Sequence, residues 1–177
     1  MKKETIFSGR KVRLSVADVE MPDGSVVSRE IVEHPGAVVI LPLFDDGTVL
    51  LEDHYRFIVA GNLIEAPAGT LDPGEDPCDC AHRELAEETG LVAGELIPLG
   101  AFYSSPGVMT EIMYAYLARR LTRGRPALES DEFLKPVEVP LEEALRWAAS
   151  GRIKDAKTIA ALFLASLYLE NREGSQP

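Results

Sequence analysis

The stretch GTLDPGEDPCDCAHRELAEETGL at residues 69–91 combines an Asp-Pro-Gly turn, a helix marked at both ends and a high density of acidic side chains. Asp76 before Pro77 predicts an N-cap followed by proline at the first helical position. Gly90 stands where a helix ends in a left-handed cap. The sequence therefore predicts a helix over residues 77–89 that follows a shaped loop.

One edge of this helix is strongly acidic. At about 100° per residue, Glu84, Glu87 and Glu88 share a face, because they are separated by three and four positions. Carboxylates stacked in this way repel one another by a few tenths of a kcal/mol per pair. A hard divalent cation such as Mg²⁺ or Mn²⁺ removes that repulsion. Arg83 precedes Glu87 by one helical turn and is placed to orient its carboxylate. A solvated acidic surface is the alternative.

The spacing of the whole stretch matches a known motif. Gly69, five residues, Glu75, seven residues and then RELAEETGL at 83–91 fit every defining position of the Nudix box. The chain therefore resembles the Nudix hydrolases, a match far more specific than a short glycine motif. The resemblance implies cleavage of nucleoside diphosphates linked to another moiety, with Mg²⁺ (or Mn²⁺) as cofactor.

The resemblance also implies roles for the box residues. Glu84 and Glu88 match the principal metal ligands, and Glu87 is a further carboxylate on the same edge. A bound cation lowers the pKa of a water molecule toward neutrality, and a nearby carboxylate then takes its proton. Arg83 and Glu87 are accordingly expected among the catalytic residues.

Shorter motifs outside the box resemble the ADP-ribose pyrophosphatase subfamily. The segment APAG enters the box as in those enzymes, where the carbonyl matching Ala68 also binds metal, and Gly69 follows it. HYR resembles their QYR, which makes Arg56 a phosphate clamp and His54 a departure. SSPG at 104–107, followed by Glu111, resembles a loop of these enzymes, and the resemblance implies that Pro106 and Glu111 bind substrate.

The remaining expected site residues lie on other segments of the chain. REIVEH resembles the strand that lines the adenine pocket, with Arg29 and Glu30, and Glu65 is a further expected substrate-binding residue. DEFLKPVEVPLEEAL at 131–145 matches a mobile loop whose glutamate, here Glu132, is the expected general base. Glu129, Asp131 and Glu87 are alternatives for that role.

Apolar patterning and turn residues predict the remaining elements. Expected strands cover 11–21, 26–34, 36–44, 48–57, 62–69, 96–105 and 111–121, and expected helices cover 140–151 and 155–172. This order predicts a mixed α/β (α+β) fold, and the resemblance makes it a Nudix-type α/β/α sandwich with a mixed sheet. Residues 1–35 are expected to form a small N-terminal antiparallel sheet, and residues 36–177 the catalytic domain.

Composition limits the partners. The chain has 177 residues and a formal net charge of -11 without a Lys/Arg stripe, which argues against nucleic acid. The start of the chain has no apolar core typical of a signal peptide, and the longest apolar run, 159–169, is too short for a bilayer. A cytoplasmic location without membrane association is the expectation. The side chains of Cys78 and Cys80 point about 200° apart on a helix, so they cannot coordinate the same zinc ion.

Several functions therefore remain open. The leading hypothesis is hydrolysis of ADP-ribose to AMP and ribose 5-phosphate. The alternatives are a GDP-mannose-type nucleotide-sugar pyrophosphatase, an ADP-ribose-sensing Nudix module without hydrolysis, and a purely structural acidic protein. The resemblance further implies a homodimer that pairs through the N-terminal sheet. The final helix is apolar nearly all round, which is typical of a helix buried in its own core or against a second subunit.

Overall fold

The computed structural model describes residues 2–128 and 132–173. The strands are β1 (Lys3–Ser8), β2 (Arg13–Glu20), β3 (Val26–Glu33), β4 (Ala37–Pro42), β5 (Thr48–Arg56), β6 (Gly61–Glu65), β7 (Ala68–Thr70), β8 (Leu91–Tyr103), β9 (Ile112–Arg123) and β10 (Leu134–Pro140). The helices are α1 (Pro77–Thr89), α2 (Leu141–Ala149) and α3 (Ala156–Glu173), with a short 3₁₀ turn at Phe57–Val59.

The central sheet has the strand order β7-β4-β9-β8 and is mixed. β4 runs parallel to β9, whereas β7 and β8 pair antiparallel with their neighbours. All six residues of β4 are buried, because both faces of the sheet are covered. Val38 and Ile40 belong to the core cluster on the α1 side, and Val39 and Leu41 belong to the cluster on the α3 side. The alternation of strand side chains thus confirms the predicted α/β/α sandwich.

A second sheet, of order β10-β5-β6, packs with α2 and α3. The sequence pattern predicted one strand over 62–69, but the chain forms β6 and β7 in two different sheets. The break falls at Ala66 and Pro67, where proline has no N–H for a ladder. The strand β10 was not predicted, because its segment was assigned to a loop; it pairs antiparallel with β5 over seven positions.

The N-terminal sheet has the order β1-β2-β3 and is antiparallel. It contains the predicted hairpin together with β1, which the sequence analysis did not assign to a strand. Its outer strand joins the rest of the molecule through Val32, which exchanges backbone hydrogen bonds with Val108 and Thr110. The sheet therefore contacts the loop that contains Pro106. A domain boundary near residue 35 remains a prediction.

The helix α1 begins and ends where its capping residues predicted. The Asp76 carboxylate accepts a hydrogen bond from the N–H of Cys78, at 2.8 Å, and Pro77 is the first helical residue. Gly90 adopts a φ of 70°, and its N–H donates to the carbonyl of Ala86. Local sequence is sufficient to place this helix because both ends are satisfied by residues next to it.

Helix α3 is buried on one side only. Ala161, Leu162 and Ala165 lie in the core, whereas Ile159, Phe163 and Leu167 are exposed. The three exposed residues are spaced four apart and form one stripe along the helix. Among the described residues, none of the helices is long and apolar enough to cross a membrane.

Candidate active site

Gly69 brings β7 against the acidic edge of α1. A Cβ atom built on Gly69 would lie 1.8 Å from Cδ of Glu84 and 2.0 Å from its Oε1. A side chain at this position would displace the Glu84 carboxylate, so glycine lets the strand approach that carboxylate this closely. Burial raises the pKa of the Glu84 carboxyl, and the hydrogen bond from Arg83 opposes that shift.

Arg83 organises three glutamates around one guanidinium. Its Nε and Nη2 donate to the two oxygens of Glu75, at 2.8 and 2.9 Å. Its Nη1 donates to Glu84 at 2.7 Å and to Glu87 at 3.1 Å. The hydrogen bonds from Arg83 lower the pKa of Glu75 to about 2. The arginine therefore orients Glu84 and Glu87 through a bidentate anchor on Glu75.

Glu88 is the buried member of the acidic edge. Its side chain lies beside the turn before Gly69, where its Oε2 accepts a hydrogen bond from the N–H of Ala68 at 2.9 Å. Burial, and after it the charge of Glu52, raises the pKa of Glu88. Glu52 and Glu88 line the same small cavity, and its lining also includes Thr89 and Leu134.

Glu52 is a site residue that the sequence analysis missed. It is 1% exposed, and its Oε1 has no hydrogen-bond partner in the described part of the chain. Burial, and then the charges of Glu65 and Glu132, raises its pKa. The available signal was an acid within the apolar strand β5, two positions before His54 and four before Arg56. All three lie on one face of that strand.

The carboxylates of the acidic edge have the donor chemistry that a divalent cation requires. Within residues 2–128 and 132–173, no three His, Cys, Asp or Glu side chains already form a metal-binding group. Glu84 is held by Arg83 and Glu88 by Ala68, and each of these hydrogen bonds uses only one of the two oxygens of its carboxylate. The fit rests on the chemistry of the donors, because buried carboxylates that repel one another are stabilised by a hard cation.

Arg56 forms a second centre of charge. Its Nε and Nη2 donate to the two oxygens of Glu65, both at 2.8 Å. The Arg56 side chain is 40% exposed, whereas that of Glu65 is 2% exposed. Arg56 is thus accessible to a ligand. The carboxylate of Glu65 is buried, and both of its oxygens accept hydrogen bonds from Arg56. The hydrogen bonds that Arg56 donates to Glu65 raise the pKa of Arg56, which stays a cation.

The expected substrate loop lies next to the N-terminal sheet. Nδ1 of His34 is 3.3 Å from Oε1 of Glu111, and Thr110 both accepts from the backbone N–H of His34 and donates to its carbonyl. Pro106 is exposed in the same loop. Arg29 and Glu30 are exposed on β3, and Arg29 donates to the carbonyl of Ser28. Pro106 and Glu111 therefore lie in the loop that contacts β3 at Val32, and Glu30 and Arg29 lie two and three positions before Val32 on that strand.

Glu132 lies beside a cavity of about 580 Å³ whose lining also includes Tyr55, Asn62 and Phe133. Its charge contributes to raising the pKa values of Glu52, Glu84 and Glu88. Glu132 is therefore close enough to act on these charges, although it lines a different cavity from Glu52 and Glu88. Glu129 and Asp131, the alternatives for the general base, lie outside the described residues.

The two cysteines are packing residues. Cys80 is buried, and its Sγ lies 3.8 Å from the carbonyl oxygen of Thr70 and 3.4 Å from Nη2 of Arg83. Burial, and then the hydrogen bond with Glu75, raises the pKa of the Cys80 thiol to about 12. Cys78 is partly buried, and neither cysteine is in a disulfide. The environment of Cys80 disfavours the thiolate that binds zinc.

A family model described as the NUDIX domain matches residues 33–162. The chain belongs to the Nudix hydrolase family. This confirms the resemblance based on the box, and enzymes of this family generally use divalent metal cations. A solved structure titled as the crystal structure of an ADP compounds hydrolase superposes with a TM-score of 0.84 at 25% identity, covering 97% of this chain and 94% of that one.

Curated relatives within the family carry several names. An ADP-ribose pyrophosphatase of Bacillus subtilis is 43% identical over 98% of this chain and 93% of its own length. A methanol dehydrogenase activator of Bacillus methanolicus is 42% identical over 92% of this chain and 89% of its own. A GDP-mannose pyrophosphatase of Yersinia pestis is 36% identical over 85% of this chain and 82% of its own. The relatives are therefore similar to most of this chain in sequence but differ in their named activities.

Proposed function

We propose that this Nudix hydrolase cleaves the pyrophosphate bond of ADP-ribose, giving AMP and ribose 5-phosphate, with Mg²⁺ or Mn²⁺ as its cofactor. The observation that supports this most directly is the acidic edge of α1, which faces Gly69 and a buried glutamate on β5. An accessible arginine, Arg56, supplies a cation for a phosphate. The names of the 43% identical relative and of the solved structure favour ADP-ribose as the nucleoside diphosphate derivative.

The proposed metal site consists of Glu84, Glu88 and the carbonyl of Ala68, with Glu87 at its exposed side. A cation held there would neutralise phosphate oxygens and make a water molecule easier to deprotonate. The protein holds Glu84 and Glu87 in place through Arg83, whose own position is set by Glu75. These contacts hold the acidic edge ready for a cation, which reduces the reorganisation on binding.

The proposed reaction adds water across the P–O–P bridge. The oxygen of water forms a bond to one phosphorus, the bridging P–O bond breaks, and the bridging oxygen leaves on the other phosphate. Glu132 takes the proton from the attacking water, since its charge already acts on the acidic edge. Arg56 binds a non-bridging phosphate oxygen. Glu65 is the residue that holds Arg56 rather than one that reaches substrate, because its carboxylate is buried.

The adenosine moiety is proposed to bind where β3 meets the loop of Pro106 and Glu111. Arg29 and Glu30 supply exposed polar groups on that strand, and Glu111 is held beside His34. A base can pack against the proline while its polar edge meets one of the two side chains on β3, because consecutive strand residues point to opposite faces of the sheet.

We also propose a homodimer and a cytoplasmic location. Phe57, Ile58 and Val59 are 81%, 83% and 53% exposed, and Ile6 and Phe7 of the N-terminal sheet are 54% and 58% exposed. Apolar side chains so exposed favour contact with a second copy. Sedimentation should show a particle of twice the mass of the chain at micromolar concentration. Sedimentation as the 19.3 kDa monomer alone would contradict the dimer.

A substrate panel tests the proposed activity. With Mg²⁺ present, ADP-ribose should have a higher kcat/KM than GDP-mannose, NADH or dinucleoside polyphosphates, and the products should be AMP and ribose 5-phosphate. A panel in which GDP-mannose ranks first would favour the nucleotide-sugar activity that the 36% identical relative's name suggests. Tight binding of ADP-ribose without products would favour a sensing module.

Substitution of individual glutamates separates the proposed roles. Glu132→Gln should lower kcat by about 10²- to 10⁴-fold and leave metal affinity intact, because it removes only the proton acceptor. Glu88→Gln should weaken metal binding as well as turnover. Near-normal kcat in Glu132→Gln together with a large loss in Glu129→Gln, Asp131→Asn or Glu87→Gln would assign the base elsewhere.

A further inference from the structure

The first turn of α3 reaches the site through Lys157. Its Nζ forms a short ion pair with Oε2 of Glu65, the carboxylate that binds Arg56, and lies 2.9 Å from Oδ1 of Asp155. Arg56, Glu65, Lys157 and Asp155 thus form a chain of alternating charge. It links the exposed arginine to the start of the last helix.

Glu65 is the centre of this chain of charges. Burial acts to raise the pKa of its carboxyl, but the hydrogen bonds and charges of Arg56 and Lys157 outweigh burial and lower the pKa to about 2. Glu65 therefore remains an anion with a cation on each side. Without Lys157 its carboxylate would be held from one side only, and Arg56 would lose a fixed anchor.

Thr158 ties the same turn of α3 to the segment before Gly69. It is fully buried, and its Oγ1 accepts from the N–H of Ala66 at 2.7 Å. Its hydroxyl donates to Oδ2 of Asp155 at 2.5 Å, and its N–H donates to the same oxygen at 2.9 Å. Two residues later, the N–H of Ala68 holds Glu88. Thr158 therefore fixes one end of the short segment that contacts the acidic edge.

We propose that Lys157 and Thr158 are positioning residues. Lys157 holds Arg56 in place through Glu65, and Thr158 holds the segment Ala66–Ala68 that contacts Glu88. This inference rests on the proposed function of the site. One turn of α3 thus positions both Arg56, the proposed phosphate clamp, and the backbone segment that contacts the acidic edge. Neither Lys157 nor Thr158 needs to touch the substrate.

The test for Lys157 measures phosphate binding apart from turnover. Lys157→Met should raise the Kd for ADP, measured by calorimetry, and the KM for ADP-ribose by about tenfold, with kcat changed less than about threefold. Arg56 binds ground state and transition state alike, so its displacement removes uniform binding. Lys157→Arg should restore most of the affinity. Lys154→Met, which removes the same charge from an exposed neighbouring position, should leave the Kd unchanged.

A double-mutant cycle shows whether Lys157 acts through Arg56. In an Arg56→Ala background, Lys157→Met should produce little further loss of ADP affinity. An equal loss in both backgrounds would mean direct ligand contact and would overturn the inference. A folded Lys157→Met chain that binds ADP like wild type would also overturn it, as would a wild-type chain without ADP binding. Lys157→Gln serves if the methionine variant does not fold. Failure to hydrolyse ADP-ribose contradicts the proposed function alone, since the ADP titration does not depend on turnover.

Metal binding tests Thr158. Thr158→Val leaves the Ala66 N–H without its acceptor and should weaken Mn²⁺ binding, measured by electron paramagnetic resonance, by about three- to tenfold. Thr158→Ser retains the hydroxyl and should bind Mn²⁺ like wild type. A folded valine variant with wild-type Mn²⁺ affinity would overturn the role of Thr158, and loss of Mn²⁺ binding in the serine variant would do the same.

Discussion

At the scale of single residues, the site depends on close approach between backbone and side chain. Gly69 lies where a Cβ would overlap the carboxyl group of Glu84, and Arg83 donates to that same carboxyl. The acidic edge therefore has a fixed position relative to β7. This explains why a glycine and an arginine occur in a motif whose chemistry belongs to glutamates.

Replacing Gly69 tests this steric requirement. Gly69→Ala should displace Glu84, weaken divalent-cation binding at least about tenfold, and lower the free energy of unfolding by about 1–3 kcal/mol. Calorimetric metal titration and urea denaturation measure the two effects. Gly61→Ala is the matched control, because a Cβ there meets nothing nearer than the carbonyl oxygen of Val59 at 3.8 Å. Wild-type metal affinity in Gly69→Ala would contradict the explanation.

At the scale of elements, α1 is specified by its own ends. The Asp76 carboxylate satisfies a free N–H at the start of the helix, and Gly90 satisfies a free carbonyl at its end. Its inner face, including Ala81 and Leu85, packs on the central sheet. The helix can consequently present a repulsive acidic edge without losing its position.

Removing the N-cap should cost stability but spare the chemistry. Asp76→Ala should lower the free energy of unfolding by about 1 kcal/mol, because it exposes an unsatisfied donor. Urea denaturation measures this change. Asp79→Ala, in the same first turn but without the capping bond, should lose only a few tenths of a kcal/mol through the helix dipole. Equal losses in the two variants would show that charge, rather than capping, stabilises the helix.

At the scale of the whole molecule, the fold buries carboxylates that it does not neutralise with its own cations. Burial and neighbouring charge raise the pKa values of both Glu52, on strand β5, and Glu88, on helix α1. A carboxyl with a raised pKa binds more protons in the folded chain than in the unfolded chain. The metal-free protein therefore loses stability as pH rises from the ordinary glutamate pKa through the raised one.

This linkage predicts how the melting temperature depends on pH. In EDTA, the Tm of the wild-type chain should fall between about pH 5 and pH 9, and Glu52→Gln should raise the Tm at the upper end and flatten the slope. A divalent cation should restore wild-type stability at high pH. Glu142→Gln, on the exposed side of α2, should follow the wild-type curve. A Glu52→Gln curve parallel to wild type would show that Glu52 does not contribute to the slope.

Features that depend on near neighbours can be predicted from the sequence alone. Hydrogen bonds and side-chain periodicity over a few residues decide such features. They include the caps of α1, the spacing of its glutamates, the N-terminal hairpin and the apolar strand β4. The tertiary structure alone places β6 and β7 in different sheets and pairs residues 134–140 with β5. It likewise decided that Glu52 faces the acidic edge and that Lys157 meets Glu65 across 92 positions. Contacts between segments so far apart depend on how layers of sheet and helix pack, and no local pattern specifies that packing.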